Sequence, residues 1–471
     1  MKRNKLQVYV HVFLVLFTSL LKLNAQESKG ISYQGFMTHV LENHPLAAKA
    51  RNAKQYGELN YKAERGNYDP AISGGYQNKF YNETNYYSSL QSEIKQPIFT
   101  SQYLKLGYEY GVGTYLSPEN STPAIGLPYL GLEVGVLQGL IIDKRRADVL
   151  KSKEYMAYYS AEKDLQLNDL LFNSAQVYFD WLFTIRLMRL NAYFAQLAEQ
   201  RLGGIKSLAN IGERPTVDTV EAAIFLQSRT MDLQAAEIEN QKVMNVLLSL
   251  SWNKNTQEAF SSTVLPNDSL ENCYQLVKNK MIEKLYTDTF VNPIITQYSA
   301  KQNVLEIEKR LKKELIKPKL SVNYNFLSGN KTTIDPVFSN NNYKWGANLS
   351  FPLFLRNPVN EYKMAKIQVQ NNQYEMVNKN NELKFKITAI KQNLSLIASQ
   401  ITNAERSVLY SKKLLDAERL KFENGESSLF MLNTRESKLL ESEMKLAEYK
   451  LKFMKTSLSF IYTTGNLNYS L

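Results

Sequence analysis

Histidine and cysteine, the side chains that most readily move protons, attack as nucleophiles or bind metals near neutral pH, are scarce in this sequence. Its 471 residues include three histidines and one cysteine. His39 and His44 lie close together in the first helical segment, and two imidazoles can ligate a metal or move a proton. Here they have no third ligand at metal spacing, no nucleophile elbow and no phosphate loop to work with. Both read as polar residues near a helix end. Cys273 stands alone, which excludes a disulfide framework and a cysteine metal cluster. No catalytic, cofactor-binding or metal-ligating residue is assigned, no cofactor is expected, and the chain reads as a non-enzyme.

Two glycine turns say more. IGERPTVDT holds Gly212 and ENGESSLFML holds Gly425. Glycine enters the left-handed conformation at no steric cost, so each can end one helix and let the chain reverse into another. Pro215 suits the first position of the helix that follows the earlier turn. After the later turn Leu432, Leu439, Leu446, Phe453 and Phe460 recur every seven residues, the pattern of a helix packing along one seam. A shift of 213 positions carries Gly212 onto Gly425, and carries Thr219, Leu226, Leu233, Asn240 and Leu247 onto that seam. The chain is an internal duplication.

The elements that hold these turns follow in order. A short amphipathic helix covers residues 31–43, and His44-Pro45 opens another that Asp69-Pro70 closes. From Pro70 the apolar period changes to two. Leu104, Leu106, Tyr108, Tyr110 and Val112 alternate with Lys105, Gly107, Glu109, Gly111 and Gly113, as strands with one apolar face do. Helical spacing returns over residues 144–211, long enough for a rod of roughly 100 Å, and the outgoing helix ends near Ser251. Asn292-Pro293 opens the second copy, whose strands alternate Leu320, Val322, Tyr324 and Phe326, then Trp345, Ala347, Leu349 and Phe351. Residues 357–424 form the second long helix.

The domain reading is therefore a segment 1–25, a first repeat 26–252 (strands about 71–138, helical hairpin 144–251), a joining stretch 253–291, a second repeat 292–465 (strands 319–351, hairpin 357–463) and a tail 466–471. The first copy carries about 35 extra residues around Tyr86–Tyr115, which read as two further strands joined at Thr100-Ser101-Gln102. Their pattern leaves open whether they enlarge a barrel or form a side hairpin.

Lys2, Arg3 and Lys5, an apolar run to Leu21 and Ala25 read as a secretory signal peptide, an uncleaved anchor being the other reading. The formal charge is +12, or +8 without residues 1–25, spread along helix faces beside Glu. That favours a solubilising surface over nucleic-acid binding. Mean hydropathy is −0.36, and after residue 25 no run reaches the ~18 apolar residues of a membrane-spanning helix. Strands apolar on one face are how a β-barrel meets lipid, or how a β-sandwich builds a core. The rod-like helices argue against the sandwich. Six strands cannot close a wide barrel, so closure needs several chains.

In its order of helix, strands, long helix, glycine turn and heptad helix, repeated twice, the chain resembles the TolC-type outer-membrane factors over nearly all of its length after residue 25. The strand ends VGVLQGLIIDKRRA and LSFPLFLRNP and both glycine turns carry the match. The resemblance implies a mixed α/β membrane protein: a homotrimer whose strands share one β-barrel in the outer-membrane lipid and whose helices form a coiled-coil tunnel across the periplasm. It implies an exit duct for efflux or type I secretion that docks a periplasmic adaptor and an RND pump or ABC exporter. On the same basis Gly212, Glu213, Gly425 and Glu426 are the docking tips, and Asp218, Phe422 and Met431 line the tunnel mouth. Met431 stands where that family often has Asp, and Ser427 where it can have a basic residue that ties the mouth shut. The alternative is a periplasmic coiled-coil adaptor or scaffold without a barrel. No cargo is named by the sequence.

Overall fold

The computed structural model describes residues 30–252, 260, 264–284, 292–330, 332 and 336–465. The expected signal peptide 1–25, the tail 466–471 and much of the joining stretch lie outside the described residues. Eight α-helices and six strands are described: α1 (Tyr33–Asn43), α2 (Pro45–Arg65), β1 (Ala71–Tyr81), β2 (Thr84–Pro97), β3 (Gln102–Val112), β4 (Leu127–Gly135), α3 (Lys144–Asn210), α4 (Thr216–Leu250), α5 (Leu270–Lys284), α6 (Pro293–Glu314), β5 (Lys319–Ser328), β6 (Phe338–Ser350), α7 (Arg356–Glu423) and α8 (Leu429–Thr464). Pro45 and Pro293 open helices as expected, while Pro70 and Pro318 directly precede strands. Pro215 sits one position earlier than expected, as the N-cap of α4.

The chain divides into two compact units, and each draws on both repeats. One unit comprises residues 49–166 and 291–385 and holds all six strands, which form a single antiparallel sheet in the order β1-β2-β3-β4-β5-β6. The additional strands β2 and β3 are joined at residues 98–101, overlapping the expected Thr100-Ser101-Gln102 although Gln102 already belongs to β3, and both are part of this sheet, not of a separate hairpin. Ile142, just before α3, forms a small apolar cluster there with Ala147, Ile307 and Leu311.

The other unit comprises residues 1–48, 167–290 and 386–471 and contains the main core. Phe36, Tyr178, Phe179 and Trp181 pack there with Leu247, Met454, Leu458 and Phe460. Of the α8 heptad, Phe453 and Phe460 are buried in this core and Leu446 is half-buried against it, whereas Leu432 and Leu439 are buried in a second cluster with Leu190, Phe194 and Leu415. Helix α5, within the expected joining stretch 253–291, places Leu270, Cys273, Tyr274, Val277 and Met281 in the same core. On the equivalent helix α4, only Ala222 and Leu247 are buried. The duplication is thus repeated in element order but not in how fully each copy is covered.

Candidate functional site

The two glycine turns have nearly the same backbone. Gly212 has φ +81° and Gly425 has φ +78°, the left-handed region that disfavours any residue with a Cβ. In the first, Gly212 N–H bonds the Ala209 carbonyl and Glu213 N–H the Leu208 carbonyl. In the second, Gly425 N–H bonds the Phe422 carbonyl and Glu426 N–H the Lys421 carbonyl. These are the paired bonds that close a helix through a glycine cap. Space around both Cα atoms is open, with nothing within 4 Å of a built Cβ.

The turns are brought together by a residue that sequence reasoning missed. The Arg214 guanidinium lies 4.5 Å from the Phe422 ring centroid and donates to the Phe422 carbonyl at 3.4 Å. Its other nitrogen is 3.9 Å from Asp218, so Asp218 and Phe422, two of the expected mouth residues, share one cation. Met431 lies on the first turn of α8, where its N–H donates to the Ser428 hydroxyl that caps the helix. Ser427, standing where the resembled family can have a basic residue, instead donates to Glu418, which also lies 3.7 Å from Arg435.

Before the turns on α3, and beyond them on α4 and α8, a second polar cluster ties three helices. Arg201 pairs with Glu436, which is 1% exposed, and donates to Asn433 at 2.8 Å. Asn433 reaches Glu221 on α4, and Arg229 of α4 donates to Ser437 at 3.1 Å. The Phe225 ring is within cation–π range of both Arg201 and Arg229. A groove of about 560 Å³ opens beside this cluster, with Leu187, Ala236, Leu440 and Met444 in its wall and Arg229 and Glu441 among its charged residues.

On α4 a second stripe remains uncovered. Val217, Ile224, Met231 and Ile238 are seven apart and 67%, 63%, 56% and 55% exposed. The sequence reading followed the neighbouring stripe from Thr219 to Leu247 and passed over this one, although the same heptad count would have found it.

The sheet has two contrasting faces. One row across all six strands reads Ile72, Ile94, Leu106, Leu130, Phe326 and Tyr343, and the next includes Leu104, Leu132, Tyr324 and Trp345. Much of it is exposed, Leu349 to 69%. The opposite face carries Glu93, Lys95, Lys105 and Glu133. Lys95 reaches Glu133 at 2.8 Å, Lys105 reaches the same carboxylate at 2.6 Å, and the Tyr129 hydroxyl donates to Glu93 at 2.7 Å. Lys344 and Glu109 form a longer pair, at 3.7 Å.

The scarce reactive side chains are held by structural contacts. His39 Nε2 is 2.8 Å from the Ser251 carbonyl, and its ring packs on Phe260. His44 caps α1, and burial lowers its pKa. Burial and the neighbouring Asp268 push the Cys273 thiol up to about 12, which keeps it an unreactive thiol. Among the described residues no helix is long and apolar enough to cross a membrane.

Three solved structures share this arrangement over most of their length. The CmeC outer membrane channel of Campylobacter jejuni aligns with 94% of this chain and 87% of its own at 13% identity and a TM-score of 0.63. The fold is that of an outer-membrane channel. The outer membrane protein VceC of Vibrio cholerae matches over 91% of this chain and 95% of its own at 12% identity and TM-score 0.62. The Neisseria gonorrhoeae MtrE outer membrane channel, in its open state, matches over 92% and 88% at 13% identity and TM-score 0.60. No protein-family model matches the sequence, and no curated protein does. The channel fold accounts for both the apolar-faced sheet and the paired helical hairpins.

Proposed function

We propose that this chain is the protomer of a homotrimeric outer-membrane exit duct, passively conducting cargo delivered by a periplasmic adaptor and an inner-membrane RND pump or ABC exporter. The observation that carries the reading is the sheet: one apolar, exposed face spanning six strands, opposite a charged face. That division suits a wall with lipid on one side and water on the other. The uncovered heptad stripe on α4 supports sister chains packing alongside. Each long helix is the next helix after a strand, α3 after β4 and α7 after β6, and each ends at a glycine turn, which supports Gly212, Glu213, Gly425 and Glu426 as the docking tips and Asp218, Phe422 and Met431 as the mouth.

Fractionation of cells expressing the full chain tests this reading, together with loss of export when its gene is removed. Recovery with the outer membrane and failed export are expected. A protein found only in the soluble periplasmic fraction points to the adaptor or scaffold reading and overturns the duct.

A further inference from the structure

In the duct reading, the first repeat adds a hairpin, β2–β3, with no counterpart in the second. Its place decides how wide the duct is. Three observations tie it into the wall. The hydrogen-bonded pairing runs from β1 through β4 with a single register shift, between Lys79 and Phe80 near the end of β1, and it sets Tyr76 opposite Leu90, Leu90 opposite Tyr110 and Leu106 opposite Leu130. The apolar row also keeps to one face across the inserted strands. On the other face Lys95 and Lys105 of the hairpin share Glu133 of β4, while Tyr129 of β4 lies over Gly107 of β3, where a Cβ would sit 2.2 Å from its ring. The hairpin's turn is fixed as well. Gly135 N–H donates to the Ser101 carbonyl at 2.7 Å, and Arg145 donates to the Thr100 carbonyl at 2.6 Å.

The sheet ends in two long strands, β1 of 11 residues and β6 of 13, each paired on one side only. With six strands alternating in direction, β6 of one copy runs antiparallel to β1 of the next. Both present their apolar residues to the same side: Ile72, Gly74 and Tyr76 on β1, and Tyr343, Trp345, Ala347 and Leu349 on β6. A head-to-tail contact between identical chains gives either a closed ring or an open filament, and since a sheet within lipid cannot leave an open edge, only the ring serves here. We propose that β1 of each copy pairs with β6 of its neighbour, so that three copies close an eighteen-strand barrel with the inserted hairpin in its wall. Barrel diameter grows with strand number, and walls of sixteen to eighteen strands leave a water-filled channel. The insertion therefore makes the duct half as wide again as two strands per repeat would.

This inference rests on the duct reading, and its test separates the two. Single-particle imaging of the unmodified assembly in lipid nanodiscs should show eighteen strands. Twelve strands with the hairpin lying outside the ring overturns it but leaves a duct. A protein that never reaches the outer membrane removes the duct reading itself. Cysteine pairs provide a second measurement. With Gly74→Cys on β1, a scan of Tyr343, Lys344, Trp345, Gly346 and Ala347 on β6 should give chain-to-chain disulfides only at the odd-numbered positions, which share its face. Within a chain, Leu106→Cys with Leu130→Cys should also lock. Crosslinks of equal yield at odd and even positions, or none in an assembly of normal mass, overturn the β1–β6 joint.

Discussion

Arg214 stacks on Phe422 across 208 positions of sequence, 4.5 Å from ring centroid to guanidinium carbon. The contact binds the loop after α3 to the end of α7, so the two glycine turns act as one tip. A change in either turn is felt by both.

Replacing a tip glycine should therefore block docking without undoing the fold. Gly425→Val or Gly212→Val forces a β-branched residue into positive φ, at a cost of about 1–2 kcal/mol, small against the long buried seams. Export is expected to fail while trimer yield and membrane insertion stay near wild type. Normal export by both variants would remove the tips as the docking surface.

The buried carboxylate of Glu436 depends on Arg201. Arg201→Ala leaves that charge unpaired and should destabilise the folded chain by about 3–5 kcal/mol, measured as a lowered denaturation midpoint. Arg201→Leu combined with Glu436→Leu should recover most of the loss, because it removes both charges. If the single variant melts like wild type, the pair contributes nothing.

For the sheet, Trp345→Arg, midway along β6, puts a charge on the proposed lipid face at ~2–4 kcal/mol near mid-bilayer, whereas Asn348→Arg faces the other way, opposite Ser321. Assembly in membranes should drop for the first and hold for the second. Equal yields would mean the faces are assigned the wrong way round.

A seam of exposed Val217, Ile224, Met231 and Ile238 needs a neighbour. The protein in mild detergent should have the mass of three chains, and Ile224→Asp with Met231→Asp should shift it toward one. A stable, folded wild-type monomer would contradict the trimer.

Stability should weaken in acid partly through Glu271. Burial pushes its carboxyl up, but the Lys450 ammonium 2.6 Å away and the Gln275 amide outweigh that and hold it below its ordinary 4.5. A depressed folded-state value means the carboxylate's contribution is present above the unfolded-state value and is lost as pH falls through the folded one. Melting temperature should therefore drop below about pH 4.5, and Glu271→Gln should flatten part of that slope. An unchanged slope would assign the acid sensitivity to other groups.

How much of this was legible in the sequence depended on distance along the chain. Local chemistry set the strand starts after Pro70 and Pro318, the helix starts at Pro45 and Pro293, the positive φ at both glycines and the α8 seam. Pairings between remote positions had no local signature. Leu130 beside Phe326 and Arg201 beside Glu436 are fixed only when the sheet and the helices assemble. Helix α5 did carry a helical pattern in Leu270, Cys273, Tyr274, Val277 and Met281, but it is short and set among polar residues. The compact units cut across the repeats because equivalent elements of the two copies pack together.

The charged face of the sheet has one more implication for cargo. Lys95, Lys105 and Lys344 each lie within 4 Å of Glu133, Glu93 or Glu109, so each cation of that network is offset beside its partner, and what field remains is screened over roughly 10 Å of salt solution. A duct wall built around such pairs is electrically quiet there. If the chain is the duct proposed above, solutes of either sign would pass that stretch on similar terms, and selection by charge would have to lie elsewhere in the export path.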